Sequence, residues 1–404
     1  MNTKLLAWTL VSLVFLSVAA TGFAQDQSML ALNEEAVAAQ KAGDYQRAIE
    51  LGEQLCARAE QELSPNSADL AVLINNLAES YRLLGQYKTA EPLFQRSLKI
   101  LVPKPEGIAI ERAAVLNNLG LLYKAQARYP DAELAMQQAL ELNKLAFGEE
   151  HPDVAIALNN LGRVYEAEKR FDEAGAAYQR SLAIREKTLD ANDPALAVSL
   201  NNLGLYYSGR LVLDKAELLF QRAYNIWIKA LGPAHPNIGT ALNNLALIDA
   251  HRGKFKKAES SYKQALEIFE KAYGPNHPEV AQTLNNLGEL YDVSGKGEKA
   301  DPIYQRSLAM RIKLLGADHP DVAVTIHNVA GRKTSEGKYE DAEPLYMYEM
   351  AIWERVLGPK HPQVASTLED LGKLYELQHQ YSEATPLFER AAGIREGAQC
   401  TYPP

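Results

Sequence analysis

The chain has 404 residues, of which 51 are acidic and 42 basic, so its formal net charge is −9. Proteins that bind nucleic acid usually carry a basic surface to neutralise phosphates, and this acidic balance argues against that class of partner. Length alone predicts two or three globular domains. An internal repeat overrides that estimate, because each unit of a repeat protein contacts mainly its neighbours.

The first predicted element is a secretory signal peptide in residues 1–24. Lys4 precedes an apolar run that covers residues 5–20, and small residues follow it as far as Ala24. This order is typical of a signal peptide that is cleaved after Ala24. The run is shorter than the ~20 residues that a membrane-spanning helix needs, and an uncleaved membrane anchor is the alternative. We therefore expect an exported protein, periplasmic or secreted, with no membrane span after cleavage.

The rest of the chain is dominated by an Asn-Asn pair that recurs every 42 residues without insertion. The pairs are Asn75-Asn76, Asn117-Asn118, Asn159-Asn160, Asn201-Asn202, Asn243-Asn244 and Asn285-Asn286, and the equivalent positions hold Asn33-Glu34, His327-Asn328 and Glu369-Asp370. A fixed period of this size is typical of a solenoid. The sequence therefore predicts nine repeats within residues 25–397, followed by a short tail, residues 398–404.

Each repeat is predicted to contain two helices, as the segment 274–316 illustrates. Apolar residues recur at helical spacing over Pro278–Val293, and a second helical run ends at Leu315, just before a glycine. Small residues stand where the two helices would have to approach closely, with Gly288 on the first and Ala300 on the second. The pattern predicts an antiparallel helix pair for every repeat.

The residue order within the repeat resembles that of the tetratricopeptide repeat. The first helix carries Leu-Gly/Ala-x-x-Tyr, the turn carries Gly-x-Tyr/Phe, and the second helix has Ala followed by Tyr or Phe. The 42-residue length, the Leu-Asn-Asn-Leu core and the Gly-x-x-His-Pro connector resemble the kinesin light chain type, here in a bacterial-style exported form.

This resemblance covers residues 27–397 and has consequences for fold and function. It implies an all-α, right-handed superhelical solenoid of about nine antiparallel helix pairs, whose first helices line a concave peptide-binding groove. Kinesin light chains also carry a heptad coiled coil that joins the motor heavy chain. The present sequence has no heptad run, so the motor role is not implied.

Three places depart from the repeat pattern. The first repeat has Glu35 where the others have Leu, which is expected of a terminal repeat that meets water. The eighth repeat reads Gly-Arg-Lys at residues 331–333 in place of the Tyr turn, and we expect a softer joint there. The segment 101–110 contains two prolines and lacks the His-Pro connector, which predicts a second irregular joint.

The connectors supply a series of histidines, His151, His235, His277, His319 and His361. Zinc ligands lie ~2.0–2.1 Å from the metal, whereas equivalent residues of successive repeats are separated by at least a helix spacing. Two repeats have Asp193 and Ser67 at the same position, and both residue types are preferred helix N-caps. The connectors are therefore predicted to cap helices, and no metal site is predicted.

The two cysteines, Cys56 and Cys400, belong to opposite ends of the repeat array. A disulfide requires Cα atoms within about 7 Å, whereas an extended stack would hold these residues tens of ångströms apart. We therefore predict no intramolecular disulfide.

The asparagine pairs are the main candidates for function, because Asn costs about 0.6–0.7 kcal/mol against Ala inside a helix. They either bond to a neighbouring helix and fix the stacking, or face the groove and bind the backbone of an extended peptide. By the resemblance, the first Asn of each pair lines the groove. These candidates are Asn75, Asn117, Asn159, Asn201, Asn243 and Asn285.

Positions four and seven residues after each first Asn share its helix face and extend the candidate groove. Arg82, Lys124 and Arg163 give a modest basic patch in repeats 2–4, and Leu205 and Leu247 add apolar surface beside it. An amide can both donate and accept hydrogen bonds. The combination suits a partner segment in extended conformation.

The sequence carries no phosphate loop, nucleophile elbow or zinc helix. We therefore expect no enzyme activity and no cofactor. The favoured function is an exported scaffold that binds an extended peptide segment of a protein partner in its groove. The alternative is a structural assembly protein that contacts partners through its ends or convex face. The partner and the oligomeric state are left open.

Overall fold

A computed structural model describes residues 27–101 and 109–399. The secondary-structure elements in these two ranges are helices. Eighteen helices form there. They are α1 (Gln27–Lys41), α2 (Tyr45–Glu62), α3 (Ala68–Leu83), α4 (Tyr87–Leu101), α5 (Ala109–Ala125), α6 (Tyr129–Phe147), α7 (Pro152–Ala167), α8 (Phe171–Thr188), α9 (Pro194–Gly209), α10 (Leu213–Leu231), α11 (Pro236–His251), α12 (Phe255–Tyr273), α13 (Pro278–Val293), α14 (Gly297–Leu315), α15 (Pro320–Ser335), α16 (Tyr339–Leu357), α17 (Pro362–Leu377) and α18 (Tyr381–Gln399). The all-α prediction is confirmed.

Three predicted features lie wholly or partly outside the described residues. The signal peptide, residues 1–24, is one of them, and most of the irregular joint at 101–110 is another. The predicted tail begins at residue 398, whereas α18 continues to Gln399. None of the helices in the described ranges has both the length and the apolar composition needed to cross a bilayer.

Consecutive helices pack as antiparallel pairs, from α1 with α2 to α17 with α18. In the fourth pair, Tyr178 near the start of α8 donates a 3.1 Å hydrogen bond to Glu166 near the end of α7. Further along α8, Ser181 donates to the carbonyl of Ala155 near the start of α7, at 2.7 Å. Two other pairs repeat this buried serine bond at 2.7 Å, Ser97 to Ala71 and Ser307 to Ala281.

The chain divides into two compact units, residues 1–273 with α1–α12 and residues 274–404 with α13–α18. In the first unit, the fully buried Trp227 of α10 packs in a cluster with residues of α9 and α11. In the second unit, Trp353 of α16 joins α15 to α17 in the same way. Each unit is thus held together by apolar clusters that link one helix pair to the first helix of the next.

Small residues allow the close approach of paired helices, as predicted. A Cβ atom added to Gly288 would lie 2.5 Å from the ring of Tyr304, and one added to Gly204 would lie 2.6 Å from the ring of Phe220. The alanine at the predicted contact on the second helix, Ala300, is fully buried. The aromatic ring of the second helix therefore occupies the space that glycine leaves on the first.

The connector histidines are helix N-caps, which confirms that prediction. The Nδ1 atom of each accepts a hydrogen bond from the backbone N–H two residues later. The distances are 3.2 Å for His151, 3.2 Å for His235, 3.1 Å for His277, 3.0 Å for His319 and 3.1 Å for His361. Asp193 and Ser67 cap their helices through the same bond, at 2.7 and 3.2 Å. Among the described residues, no three His, Cys, Asp or Glu side chains are arranged to hold a metal ion.

The atypical residues of the eighth repeat form an ion-pair network with the seventh. The Arg332 side chain is only 8% exposed and pairs with Asp292 at 2.9 Å, Asp301 at 2.8 Å and Glu336 at 2.5 Å. A Cβ atom on Gly297 would lie 2.0 Å from the Arg332 guanidinium, so this glycine creates the space for it. The softer joint stays a prediction. The structure shows that the charged side chain of Arg332 and its three acidic partners lie at the contact between these two repeats.

Cys56 is a buried thiol on α2, and burial raises its pKa to about 12. A thiol with such a pKa is unreactive at neutral pH. Cys400 lies outside the described residues, so the absence of a disulfide between the two cysteines stays a prediction.

Candidate peptide-binding surface

The first asparagines of the six pairs are buried on the first helices of their repeats. Their exposed fractions lie between 0% for Asn75 and 8% for Asn243. Five lie in the first unit, on α3, α5, α7, α9 and α11, and Asn285 lies on α13 of the second unit. Their contact with a peptide stays a prediction, and their burial limits it to the few atoms that reach the surface.

An amide ladder connects the first helices of neighbouring repeats. The second Asn of one repeat donates through Nδ2 to Oδ1 of the first Asn of the preceding repeat. The bonds are Asn118 to Asn75 at 3.1 Å, Asn160 to Asn117 at 3.1 Å and Asn244 to Asn201 at 2.7 Å in the first unit, and Asn328 to Asn285 at 3.2 Å in the second. These bonds are the helix-to-helix contacts that the stacking interpretation predicts.

The ladder is interrupted between the fourth and fifth repeats. Asn159 donates instead to the Oγ of Ser199, at 3.2 Å. The Oδ1 atoms of Asn159 and Asn202 are buried and have no hydrogen-bond partner within the described part of the chain. A buried acceptor without a partner is costly, so these two oxygens are suited to a buried water molecule.

The predicted basic patch begins with Arg82, which is already neutralised. Its guanidinium makes two 2.7 Å hydrogen bonds to the carboxylate of Glu79, one turn earlier on α3. Both side chains are largely buried, with 13% and 5% exposed. Sequence analysis missed the role of Glu79, although an acid three residues before Arg on a helix is a recognisable signal for such a pair.

Lys124 and Arg163 differ from Arg82 because they have no such partner. Both are half-buried, and within the described ranges neither makes a hydrogen bond or an ion pair within 4.0 Å. Burial lowers the pKa of Lys124 to about 7, and the positive charges of Arg163 and Arg82 lower it further, against the opposing charge of Glu166. Burial also lowers the pKa of Arg163. The structure thus brings the three predicted cations together on α3, α5 and α7.

The predicted apolar residues lie on the next first helices of the same unit. Leu205 on α9 and Leu247 on α11 are both half-buried. Leu205 packs against a buried cluster that contains Phe220 and Ile248. Ile156 and Val198, which lie three residues before Asn159 and Asn201 and share their helix face, are also half-buried. The first unit therefore carries a partly exposed stripe that runs from cations on α5 and α7 to leucines on α9 and α11.

Stacked antiparallel helix pairs of constant length define a helical repeat protein. The family model of the tetratricopeptide repeat matches residues 27–101, 111–187, 153–229, 212–271, 237–310 and 333–397. These segments cover most of the chain, and the protein therefore belongs to the tetratricopeptide repeat family. The resemblance to the tetratricopeptide repeat is confirmed, and export stays a prediction.

Solved structures with similar folds include three informative cases. A Rap protein complexed with Competence and Sporulation Factor is 15% identical, with 93% of this chain and 100% of that chain covered and a TM-score of 0.59. Aspartyl phosphate phosphatase F from Bacillus subtilis is 15% identical, with 91% and 94% covered and a TM-score of 0.52. A kinesin light chain candidate from Podosopora anserina is 22% identical, with 52% and 98% covered and a TM-score of 0.42. These similarities concern the fold alone. No curated protein matched the sequence.

Proposed function

We propose that this protein is a non-catalytic scaffold that binds an extended segment of a protein partner. The segment would lie along α5, α7, α9 and α11, which are the first helices of the third to sixth repeats. The observation that carries the proposal is a pair of half-buried cations without ion-pair partners on the same helix face as half-buried leucines. Within the described residues, Lys124 and Arg163 make no ion pair. Half-buried polar groups of this kind are stabilised when a ligand supplies a hydrogen-bond partner or an opposite charge.

The same helices offer complementary contacts to backbone and side chains. An extended peptide presents N–H and C=O groups along its length, and the half-buried amine of Lys124 and guanidinium of Arg163 can donate to its carbonyl oxygens. Leu205 and Leu247 then provide apolar surface for its side chains. Each hydrogen bond contributes about 0.5–1.5 kcal/mol net, so several in series with apolar burial reach the ~8 kcal/mol of a micromolar complex.

Related folds support a binding role only in general terms. The Rap protein structure is a complex with Competence and Sporulation Factor, so a solenoid of this kind can hold a second molecule. Its low identity to this chain limits the comparison to the fold. The binding surface proposed for the present protein is therefore inferred from its own residues.

We further propose that the scaffold works after export, in the periplasm or outside the cell. The support is the order of basic, apolar and small residues in residues 1–24. Intact-mass measurement of the protein from its native host would detect a mature chain that starts after Ala24. A chain of full mass retained in membranes would contradict export and favour an anchor.

The binding surface is tested by capture of a partner from envelope extract of the native host. Arg163→Glu combined with Leu205→Ser should reduce capture at least tenfold, because it reverses a charge and removes apolar surface. Lys373→Glu is the matched control, since Lys373 occupies the Arg163 position in the last repeat and already pairs with Asp370 at 2.9 Å. It should leave capture unchanged, and thermal melts should show all variants folded.

One observation favours the alternative, a structural assembly protein that uses its second helices. Leu145 on α6 is 83% exposed and Leu218 on α10 is 72% exposed. If capture survives Arg163→Glu with Leu205→Ser but is lost with Leu145→Ser and Leu218→Ser, the partner binds this outer surface. The proposed surface on α5–α11 would then be wrong.

A further inference from the structure

The turn between α9 and α10 carries two exposed aliphatic residues, one of them in a strained conformation. Leu211 is 62% exposed and Val212 is 39% exposed. The φ angle of Leu211 is +57°, in the left-handed region that disfavours residues with a Cβ atom. Five other repeats have a glycine of positive φ at this position, namely Gly43, Gly85, Gly253, Gly295 and Gly337. A leucine here costs stability and packs little of its surface, so the stability of the repeat does not account for it.

Basic residues surround this turn in the fifth and sixth repeats. Residues 210–217 and 249–257 together contain six Lys or Arg and three Asp or Glu, and we call these two segments the basic edge. The equivalent segment of the fourth repeat, residues 168–175, contains two basic and three acidic residues. The net charge of the whole chain is −9. The positive excess is therefore a local property of these two repeats of the first unit.

The two segments of the basic edge are in contact, and their acids are already paired. Arg252 of the sixth repeat pairs with Asp214 and Glu217 of α10, each at 2.5 Å. The third acid, Asp249, is buried and pairs with Lys257 of α12 at 2.9 Å. The carboxylates of the edge are therefore neutralised by cations of the same edge.

Three exposed cations of the edge have no acidic partner. Within the described ranges, Arg210, Lys215 and Lys256 make no ion pair within 4.0 Å. The Arg210 guanidinium lies over the ring of Phe171, 3.9 Å from its centroid, and the Lys215 amine lies 5.1 Å from the ring centroid of Tyr207. These aromatic contacts hold two of the side chains at the turn and leave their charges uncompensated.

We propose that the basic edge docks on an anionic lipid surface, with Leu211 and Val212 entering the headgroup layer and the cations facing the lipid phosphates. Aliphatic side chains gain free energy when they leave water for the acyl boundary of a bilayer. Each cation close to an anionic membrane surface adds about a fivefold gain in affinity. An acidic peptide would satisfy the cations but would leave the two aliphatic side chains in water, so the combination favours lipid. The edge is a different surface from the stripe on α5, α7, α9 and α11 and does not depend on peptide binding there.

The test measures sedimentation of the full chain with two kinds of vesicle, phosphatidylcholine alone and phosphatidylcholine with about one third phosphatidylglycerol. We expect at least tenfold tighter binding to the anionic vesicles. Salt at about 0.5 M should remove most of this preference, because it screens exposed charges. Residues 1–24 are the same in every sample, and the neutral vesicles measure the binding that this apolar segment causes by itself.

The aliphatic contribution is tested by Leu211→Gly combined with Val212→Ser. This variant should bind anionic vesicles at least tenfold more weakly than wild type. It should also be at least as stable as wild type. Glycine relieves the left-handed strain, and Val212 is the N-cap of α10, a position where serine can cap the helix and valine does not. A loss of binding in this variant therefore cannot be attributed to unfolding.

The charge contribution is tested by Lys215→Gln combined with Lys256→Gln, which should weaken binding to anionic vesicles about 10- to 30-fold. The matched control is Lys99→Gln combined with Lys229→Gln. These lysines are also exposed and lie near the carboxyl ends of α4 and α10, away from the turn. The control has the same net charge as the test variant and should bind as wild type does.

Three outcomes would overturn lipid docking at this edge. Equal binding to neutral and anionic vesicles would show that the cations contribute nothing. An equal loss of binding in the control and in the lysine variant would show that net charge acts instead of this edge. Wild-type binding of Leu211→Gly with Val212→Ser would mean that the aliphatic residues do not enter the bilayer, and an acidic protein would then be the better occupant. Capture of a protein partner along α5–α11 is unaffected by any of these results.

Discussion

His235 is a helix cap whose acceptor atom can be removed by a proton. Its Nδ1 accepts the N–H of Asn237 at 3.2 Å at the start of α11, and burial lowers its pKa below the usual value. Protonation would replace the acceptor with a cation at the positive end of the helix. The unfolded chain therefore binds the proton more readily than the folded one. The stabilisation from this cap is present above pH ~6.5 and is lost as pH falls through the folded pKa.

We predict that His235→Asp stabilises the protein at pH 5 relative to wild type and leaves its stability at pH 7.5 within about 0.5 kcal/mol. The carboxylate of Asp remains an acceptor at both pH values, as Asp193 shows at the same position with a 2.7 Å bond. Denaturant unfolding at the two pH values measures the difference. His251, whose pKa is also lowered by burial, is present in both proteins and cancels from the comparison. A large loss of stability at pH 7.5 would contradict the capping role.

At the scale of helices, the amide ladder predicts unequal roles for two adjacent asparagines. Asn201 accepts a 2.7 Å bond from Asn244 of the next repeat, and its removal would leave a donor without its partner. Asn202 makes no hydrogen bond within the described residues, and its Oδ1 is buried. Ala is the better helix former by about 0.6–0.7 kcal/mol at either position. Only Asn201 therefore carries a stacking contribution larger than that difference.

We predict that Asn201→Ala lowers the free energy of unfolding by about 1–2 kcal/mol, after the gain in helix propensity. Asn202→Ala should raise it by about 0.5–1 kcal/mol, because this variant gains helix propensity and loses no hydrogen bond. Equilibrium unfolding in urea compares the two proteins. Equal stability of both variants would show that the ladder bond contributes nothing net. An Asn201 that only faced the groove could be replaced by Ala without loss of stability, so this measurement also separates the stacking interpretation from the groove interpretation.

The contact between α14 and α15 depends on two residues that compensate each other. Most repeats have an aromatic residue at the position of Gly297, as Tyr339 and Phe171 show, and an apolar residue at the position of Arg332. In the seventh repeat the aromatic ring is absent, and the guanidinium of Arg332 from the eighth repeat occupies its space. The arginine then pairs with Asp292 and Asp301 of the seventh repeat, and its hydrogen bond, together with its charge, lowers the pKa of Asp301.

We predict a strong coupling in a double-mutant cycle on Gly297 and Arg332. Arg332→Leu alone should destabilise the protein by about 1–3 kcal/mol, because it leaves the half-buried carboxylate of Asp292 without its cation. Gly297→Tyr alone should also destabilise it, because the ring would overlap the guanidinium. The double variant restores the pattern of the other repeats and should be more stable than the sum of the single changes predicts, by at least 1 kcal/mol. Additive effects would mean that the two positions do not share this space.

These examples show which features the sequence can predict. The period, the helix pairs and the caps follow from residue patterns within about 20 positions, and all are present in the structure. The compensation between Gly297 and Arg332 could not be predicted from the sequence. Each residue alone departs from the repeat pattern, and the two belong to different repeats. The hydrogen-bond partners of the asparagine side chains could not be predicted either. They depend on which residues of the neighbouring helix lie within hydrogen-bond distance. The sequence identified Lys124 and Arg163 but not the pairing that neutralises Arg82 and leaves the other two cations free.

At the scale of the whole molecule, stability in a solenoid is the sum of repeats and of contacts between neighbours. Equivalent residues therefore contribute differently at an end of the stack. In the first repeat, Glu35 is exposed and pairs with Arg47 at 2.8 Å, as expected of a position that meets water. In the last repeat, Tyr381 is 60% exposed and begins the final helix of the described chain. Its equivalent one repeat earlier, Tyr339, packs against a cluster that includes Leu371 and Leu374 of α17.

We predict that Tyr339→Ala lowers the free energy of unfolding by about 1–3 kcal/mol, whereas Tyr381→Ala lowers it by less than about 0.5 kcal/mol. The two substitutions remove the same atoms from the same repeat position within the second unit, so the difference measures the apolar surface that the following repeat covers. Denaturant unfolding with matched slopes provides the comparison. An equal cost at both positions would show that Tyr381 is covered in solution. The covering group would then have to come from another copy of the chain or from residues beyond Gln399, and sedimentation of Tyr381→Ala against wild type would distinguish these two sources.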